Sequence, residues 1–153
     1  MLLHLFDRQV PVAIASSREG RLVRGTLSKL GWGSYFEAVV GQEDTDRHKS
    51  GPHLLLMVSY ILGIKPQNCI YLGDQPWDIQ ASKAASMTSG AALWDEGRFE
   101  VLAAESPDFV FHQPIDIVTQ FLGYNLRHLI LGPQLTAFPI TYSIYKILNH
   151  IAM

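Results

Sequence analysis

The sequence holds one cysteine among 153 residues, no basic block and no glycine-rich phosphate loop. A single cysteine, Cys69, excludes an internal disulfide and a thiolate metal cluster. It lies in the apolar run Cys69-Ile70-Tyr71-Leu72 and reads as a small buried core residue, in keeping with a reducing, cytoplasmic setting. Twelve lysines and arginines stand against fourteen acids, a formal net charge of -2, so nucleic acid is not an expected partner. No Gly-x-Gly-x-x-Gly follows an apolar run and no Gly-x-Ser-x-Gly occurs; dinucleotide binding and serine hydrolase chemistry lack their signatures. His4, His48, His53, His112, His128 and His150 form no metal-ligand spacing. The segment Met1 to Arg8 lacks the serial features of a signal peptide, and none is expected. Leu129 to Tyr145 carries no charged side chain, but Gly132, Pro133, Gln134 and Pro139 interrupt it. It falls short of the roughly 20 apolar residues a spanning helix needs, so no membrane span is expected.

Hydrophobic residues make up 48% and charged residues 17%, enough to fold around a core. Short apolar runs alternate with helical patterns. Val10 to Ala15 suits a strand buried on both faces and ends in the polar turn Ser16 to Gly20. Leu22, Val23, Leu27 and Leu30 then mark a helix stopped by Gly31. Phe36 to Gly41 predicts a second strand, followed by a polar loop, Gln42 to Ser50. Pro52 opens a helix with Leu55, Val58, Ile61 and Leu62 on its apolar face, ending at Gly63. Asn68 to Asp74 predicts a third strand, Asp78 to Ala85 a short Ala-rich helix, and Ser89 to Trp94 a fourth strand. Pro107 to Phe111 predicts a fifth, and Ile115 to Phe121 a last helix. This alternation argues for an α/β fold, a Rossmann-like parallel sheet covered on both faces. Beyond Gly123 the pattern fails, so residues 124–153 are set apart from the core of residues 1–123 as a tail of unknown structure.

Ligands of parallel sheets bind beyond the carboxyl ends of the strands. There Gly73-Asp74-Gln75-Pro76-Trp77-Asp78 sets two carboxylates four residues apart at a strand-to-helix turn. Two carboxylates in one pocket suit a hard cation such as magnesium; equally, Asp74 could be a turn residue and Asp78 a helix-start residue. Ser16 and Ser17 follow the first strand, where a hydroxyl and backbone N–H groups could hold a phosphate or simply cap the helix. Lys49, in the loop after the second strand, is either a point charge for a phosphoryl group or a solvated surface lysine. Trp94 reads as packing.

Taken in order, the strand ending in Ser16, the stretch His48-Lys49-Ser50-Gly51-Pro52, and Tyr71 to Ala85 with Gly-Asp-x-x-x-Asp and the Ala-rich helix resemble the haloacid dehalogenase-like (HAD-type) hydrolases. The likeness runs from about Leu2 to Leu122 and is greatest to the phosphoglycolate phosphatase and small-molecule pyrophosphatase group. Ser50 stands where a proline is common in the family. The resemblance implies roles. Ser16 hydrogen-bonds the transferring phosphoryl group, and Lys49 neutralises charge on nucleophile and phosphate. Asp74 binds Mg2+, and Asp78 supports the metal directly or through water. It implies a small phosphorylated substrate.

The resemblance also implies a nucleophilic aspartate in Asp-x-Asp at the end of a first strand, upstream of the helix at Leu2 to Arg8, and a cap after that strand. Neither is found in this sequence. Asp44-Thr45-Asp46 has the letters but lies in a polar loop, not behind an apolar strand. The family's first strand is central, between the strands ending here in Ser16 and Asp74, so two inner sheet edges are expected to lack a partner. The expectation is a truncated or split phosphatase, inactive alone, with a missing amino-terminal segment as a partner in trans. The alternatives are a non-catalytic relic or module that retains a phosphate and metal pocket, and an unrelated nucleotide-binding α/β domain. The lack of a glycine-rich loop argues against the last.

Overall fold

A computed structural model describes residues 1–45, 51–94, 97–122 and 141–144. Six strands form one sheet: β1 (Val12–Ala15), β2 (Ala38–Val40), β3 (Cys69–Gly73), β4 (Thr88–Ala92), β5 (Phe109–Phe111) and β6 (Thr141–Ile144). Their order is β2-β1-β6-β3-β4-β5, and every pairing is parallel. The helices are α1 (Leu2–Asp7), α2 (Gly20–Lys29), α3 (His53–Leu62), α4 (Pro76–Ala84), α5 (Phe99–Ala103) and α6 (Ile115–Ile117), the last continuing as a π-helical turn, Val118–Leu122.

The strand period of two divides the core cleanly. Ala13, Ala15, Cys69 and Tyr71 face one side and pack with Leu55 and Val58 of α3, together with Ala85 and Met87. Ala91 continues that face toward Ile79 of α4 and Leu102 of α5. Val12, Ile70, Leu72 and Phe111 face the other side, against Leu5 of α1 and Ile117 of α6, and Ile14 packs there on Val23 and Leu27 of α2. The chain thus steps from β1 to β2 over one face and from β3 to β4 over the other. Right-handed crossovers require that switch when the direction of travel reverses. The reversal falls between β1 and β3, the crevice where ligands of such sheets bind.

Five of the strands and the main helices stand where the sequence pattern predicts them. Gly31 and Gly63, the expected stops, adopt left-handed φ of 68° and 65°, which only glycine takes without a Cβ penalty. Two elements escape the pattern. One is the short helix α5. The other is β6, which belongs to the region set aside as a tail. The two inner edges expected to lie unpaired are paired: Tyr142 is in register with both Val12 and Ile70, and Ser143 with both Ala13 and Tyr71. Among the described residues no helix is long and apolar enough to cross a membrane.

Candidate functional site

Through β6 the ladders set Val12 level with Ile70 and Ala13 level with Tyr71. Counting outward, Ser16 and Asp74 reach the same level at the carboxyl edge. They stand on either side of the switch point, two strand spacings or about 10 Å apart. The sheet therefore brings Ser16, Asp74 and Asp78 to one edge. Lys49 falls in residues 46–50, outside the described residues.

Ser16 is 1% exposed. Its N–H donates to Val40 O at 2.8 Å, which extends the β1–β2 ladder, and its Oγ accepts the Arg18 N–H at 3.0 Å. The hydroxyl thus shapes the turn and does not cap α2, whose N-cap is Glu19. Its proton remains available for a ligand oxygen, since a hydroxyl both donates and accepts. Ser17 beside it is half-buried.

The start of α2 already holds an anion. The Gly20 N–H donates to both carboxylate oxygens of Glu43, each at 2.9 Å. This backbone bond, ahead of burial, holds the Glu43 carboxyl below the usual range. A Cβ on Gly41 would lie 2.2 Å from Gly20 N, so the two glycines let the loop after β2 dock on the helix. Glu43 was not anticipated; its acidic, loop-after-strand position was the available signal. Asp44 accepts the Gly41 N–H at 2.8 Å, a local turn role, and Asp46 lies outside the described residues.

At the other wall, Asp74 and Asp78 are both buried, 3% and 7% exposed. Pro76 at the start of α4 pre-sets the helix. Asp78 turns back over the loop. Its Oδ2 accepts the Asp74 N–H at 3.2 Å and the Gln75 N–H at 3.1 Å, and its Oδ1 accepts the Tyr71 O–H at 3.3 Å. Burial pushes the Asp78 carboxyl up to about 6; the Gln75 N–H opposes that, and the neighbouring Asp74 adds to it. Gly73 makes room for Asp78: a Cβ there would lie 2.1 Å from Asp78 Cβ.

The donor set fits a hard cation in part. Asp74 Oδ1 is buried and takes no hydrogen bond among the described residues. Asp78 Oδ2 has both lone pairs engaged, whereas Oδ1 retains one. No three metal-ligating side chains cluster among the described residues. Trp94 packs against the Leu5, Ile70 and Leu72 core, as expected. Cys69 is buried, its Sγ–H donating to Lys65 O.

Residues 1–92 match the family model described as haloacid dehalogenase-like hydrolase. The chain belongs to the haloacid dehalogenase-like hydrolases. It is 29% identical over 127 residues to a phosphoglycolate phosphatase of Pectobacterium atrosepticum, covering 83% of this chain and 54% of that protein. It is 30% identical over 109 residues to PpaX of Caldanaerobacter subterraneus subsp. tengcongensis, a protein that carries a pyrophosphatase name, covering 71% and 50%. The fold matches a haloacid dehalogenase-like family protein of Streptococcus pneumoniae with TM-score 0.70 at 18% identity, covering 78% of this chain and 56% of that one. The chain spans about half the length of the curated relatives it matches.

Proposed function

We propose that this chain supplies the phosphate-binding and metal-binding wall of a magnesium-dependent phosphatase for small phosphate esters of the phosphoglycolate kind, acting in the cytoplasm. The observation that carries this is the placement of Ser16 and Asp74 at one level of the sheet, flanking the switch point. Ser16 donates its hydroxyl proton to a phosphate oxygen, with Ser17 beside it, and Lys49 neutralises phosphate charge. Asp74 is the direct magnesium ligand. Asp78 acts mainly through Asp74, by fixing the Asp74 and Gln75 backbone. A bound magnesium ion would neutralise charge on the phosphate.

In this reading Ser16, Lys49, Asp74 and Asp78 bind and neutralise, and none of them is the nucleophile. The described residues of β6, which fill the centre of the switch point, read Thr-Tyr-Ser-Ile and offer no carboxylate. That observation favours a second reading, a binding module without turnover. One experiment decides. The chain is assayed with phosphoglycolate and magnesium, and magnesium binding is followed by calorimetry in wild type and Asp74→Asn. The expected result is no turnover near ordinary enzyme rates, about 1 to 1,000 per second, with magnesium binding lost in the variant. Equal affinities would remove Asp74 from the metal site, and ordinary turnover that depends on Asp74 would show that a nucleophile is present.

A further inference from the structure

The turn between β1 and α2 carries Ser16, and it is tied to β2 and the loop that follows at three successive points. The Ser16 N–H donates to Val40 O at 2.8 Å, the Gln42 N–H donates to Arg18 O at 3.0 Å, and the Gly20 N–H donates to both carboxylate oxygens of Glu43. The first two ties are backbone to backbone. The third depends on a side chain, that of Glu43. The path from it to the Ser16 hydroxyl is short. Gly20 follows Arg18 by two residues, and the Arg18 N–H is the donor that Ser16 Oγ accepts at 3.0 Å.

The sequence of α2 itself supplies no side-chain cap. Gly20 is its first residue, so that N–H has no acceptor within the helix. Glu19, the N-cap, makes no side-chain cap bond, and the first turn holds no acidic residue. Glu43 supplies the acceptor from another loop. Arg24 braces it: Nη2 lies 3.7 Å from Glu43 Oε1, while Nη1 donates to Val39 O at 3.1 Å. Two effects of Glu43 on a phosphate at Ser16 have opposite sign. Its charge repels the anion, and its hydrogen bonds hold the turn that receives it. The Glu43 side chain is 41% exposed, so water and salt weaken the first effect. The two contacts at 2.9 Å are direct and charge-assisted, so the second effect wins.

We propose that Glu43 is a positioning residue for the phosphate-binding turn: by fixing Gly20 it holds Arg18, and through the Arg18 N–H the hydroxyl of Ser16, in the arrangement that receives a phosphate oxygen. A binding group is accurate only when hydrogen bonds behind it lock its geometry. The inference rests on the phosphatase reading of Ser16 and adds to it a residue that does not touch the ligand.

Inorganic phosphate is the probe, titrated by calorimetry into the full-length chain and its folded variants. Ser16→Ala is expected to lose binding. Glu43→Ala is expected to weaken it about tenfold, the order set by one charge-assisted hydrogen bond. Glu43→Gln keeps an acceptor for the Gly20 N–H and removes the charge, so it is expected to bind phosphate at least as tightly as wild type. Amide hydrogen exchange at Gly20 is read on the same proteins: slow in wild type and Glu43→Gln, fast in Glu43→Ala. Should alanine unfold the chain, Glu43→Asp, one methylene shorter, takes its place with the same loss expected. If Ser16→Ala is impaired but Glu43→Ala binds as tightly as wild type or tighter, the positioning role is overturned and Glu43 is only a repelling charge. An equal loss in Glu43→Ala and Glu43→Gln overturns it as well, because the rescue has failed. No phosphate binding by wild type, or unaltered binding in Ser16→Ala, overturns the phosphatase reading of Ser16 and this inference with it.

Discussion

Asp78→Asn separates the two pulls on the carboxylate beneath the site. Burial raises the Asp78 carboxyl from 3.8 to about 6 despite three hydrogen bonds to it. The folded protein therefore holds a proton that the unfolded chain has released between those two values. Stability from this group is greatest below pH about 4, falls as pH rises toward 6, and is flat above. At 1.36 kcal/mol per unit, the shift amounts to about 3 kcal/mol. Asparagine has the same shape. Its carbonyl oxygen can accept the Asp74 and Gln75 N–H groups, and its amide can donate to the Tyr71 oxygen. The variant is expected to match wild type near pH 4 and to exceed it by up to about 3 kcal/mol at pH 7.5. The assay is urea unfolding of both proteins across that range, read as their difference. Asp108, held below the usual carboxylate range by the Ser89 N–H, is common to both and cancels. A variant less stable than wild type at pH 7.5 would refute the reasoning, since the charged carboxylate would then be a net stabiliser of the loop.

Gly73→Ala places a methyl group 2.1 Å from Asp78 Cβ. The clash is expected to cost about 1–3 kcal/mol or more in urea unfolding, and an unchanged midpoint would show that the loop repacks freely. Ile79, 0% exposed between Ala91 and Leu102, is expected to lose about 2–5 kcal/mol on replacement by alanine. Thermal unfolding measures it, with a loss below about 1 kcal/mol counting against a packed α4–α5 layer.

Strands β1 to β5 were legible because buried parallel strands leave short apolar runs, and Gly31 and Gly63 punctuate the helices between them. The carboxyl-edge residues Ser16 and Asp74 were legible for the same reason: each follows such a run. The hydrogen bonds around Asp78 were not. Gly73 could serve a ligand or a neighbouring side chain equally well, and only the fold shows that Asp78 fills the space. Glu43 reaches Gly20 across a loop, a contact with no local period. The helix α5 is one short turn-and-a-half with too few residues to establish a period. β6 was illegible because Thr-Tyr-Ser-Ile resembles neither a buried run nor a clean alternation; its place is dictated by the vacancy its walls would otherwise leave.

That vacancy also sets an order of events during synthesis. Val12 and Ala13 leave the ribosome about 130 residues ahead of Tyr142 and Ser143, in which they find one of their sheet partners. Pairings of such separation are slow, because the loop must close before any contact rewards it. Until residues 141–144 emerge, the nascent sheet consists of two halves, β2-β1 and β3-β4-β5, each with a bare inner edge. Intermediates of that kind are prone to aggregate. A ribosome stalled before Thr141 would hold two half-sheets, protease-sensitive and adhesive, and the codons for residues 141–144 would convert them into one.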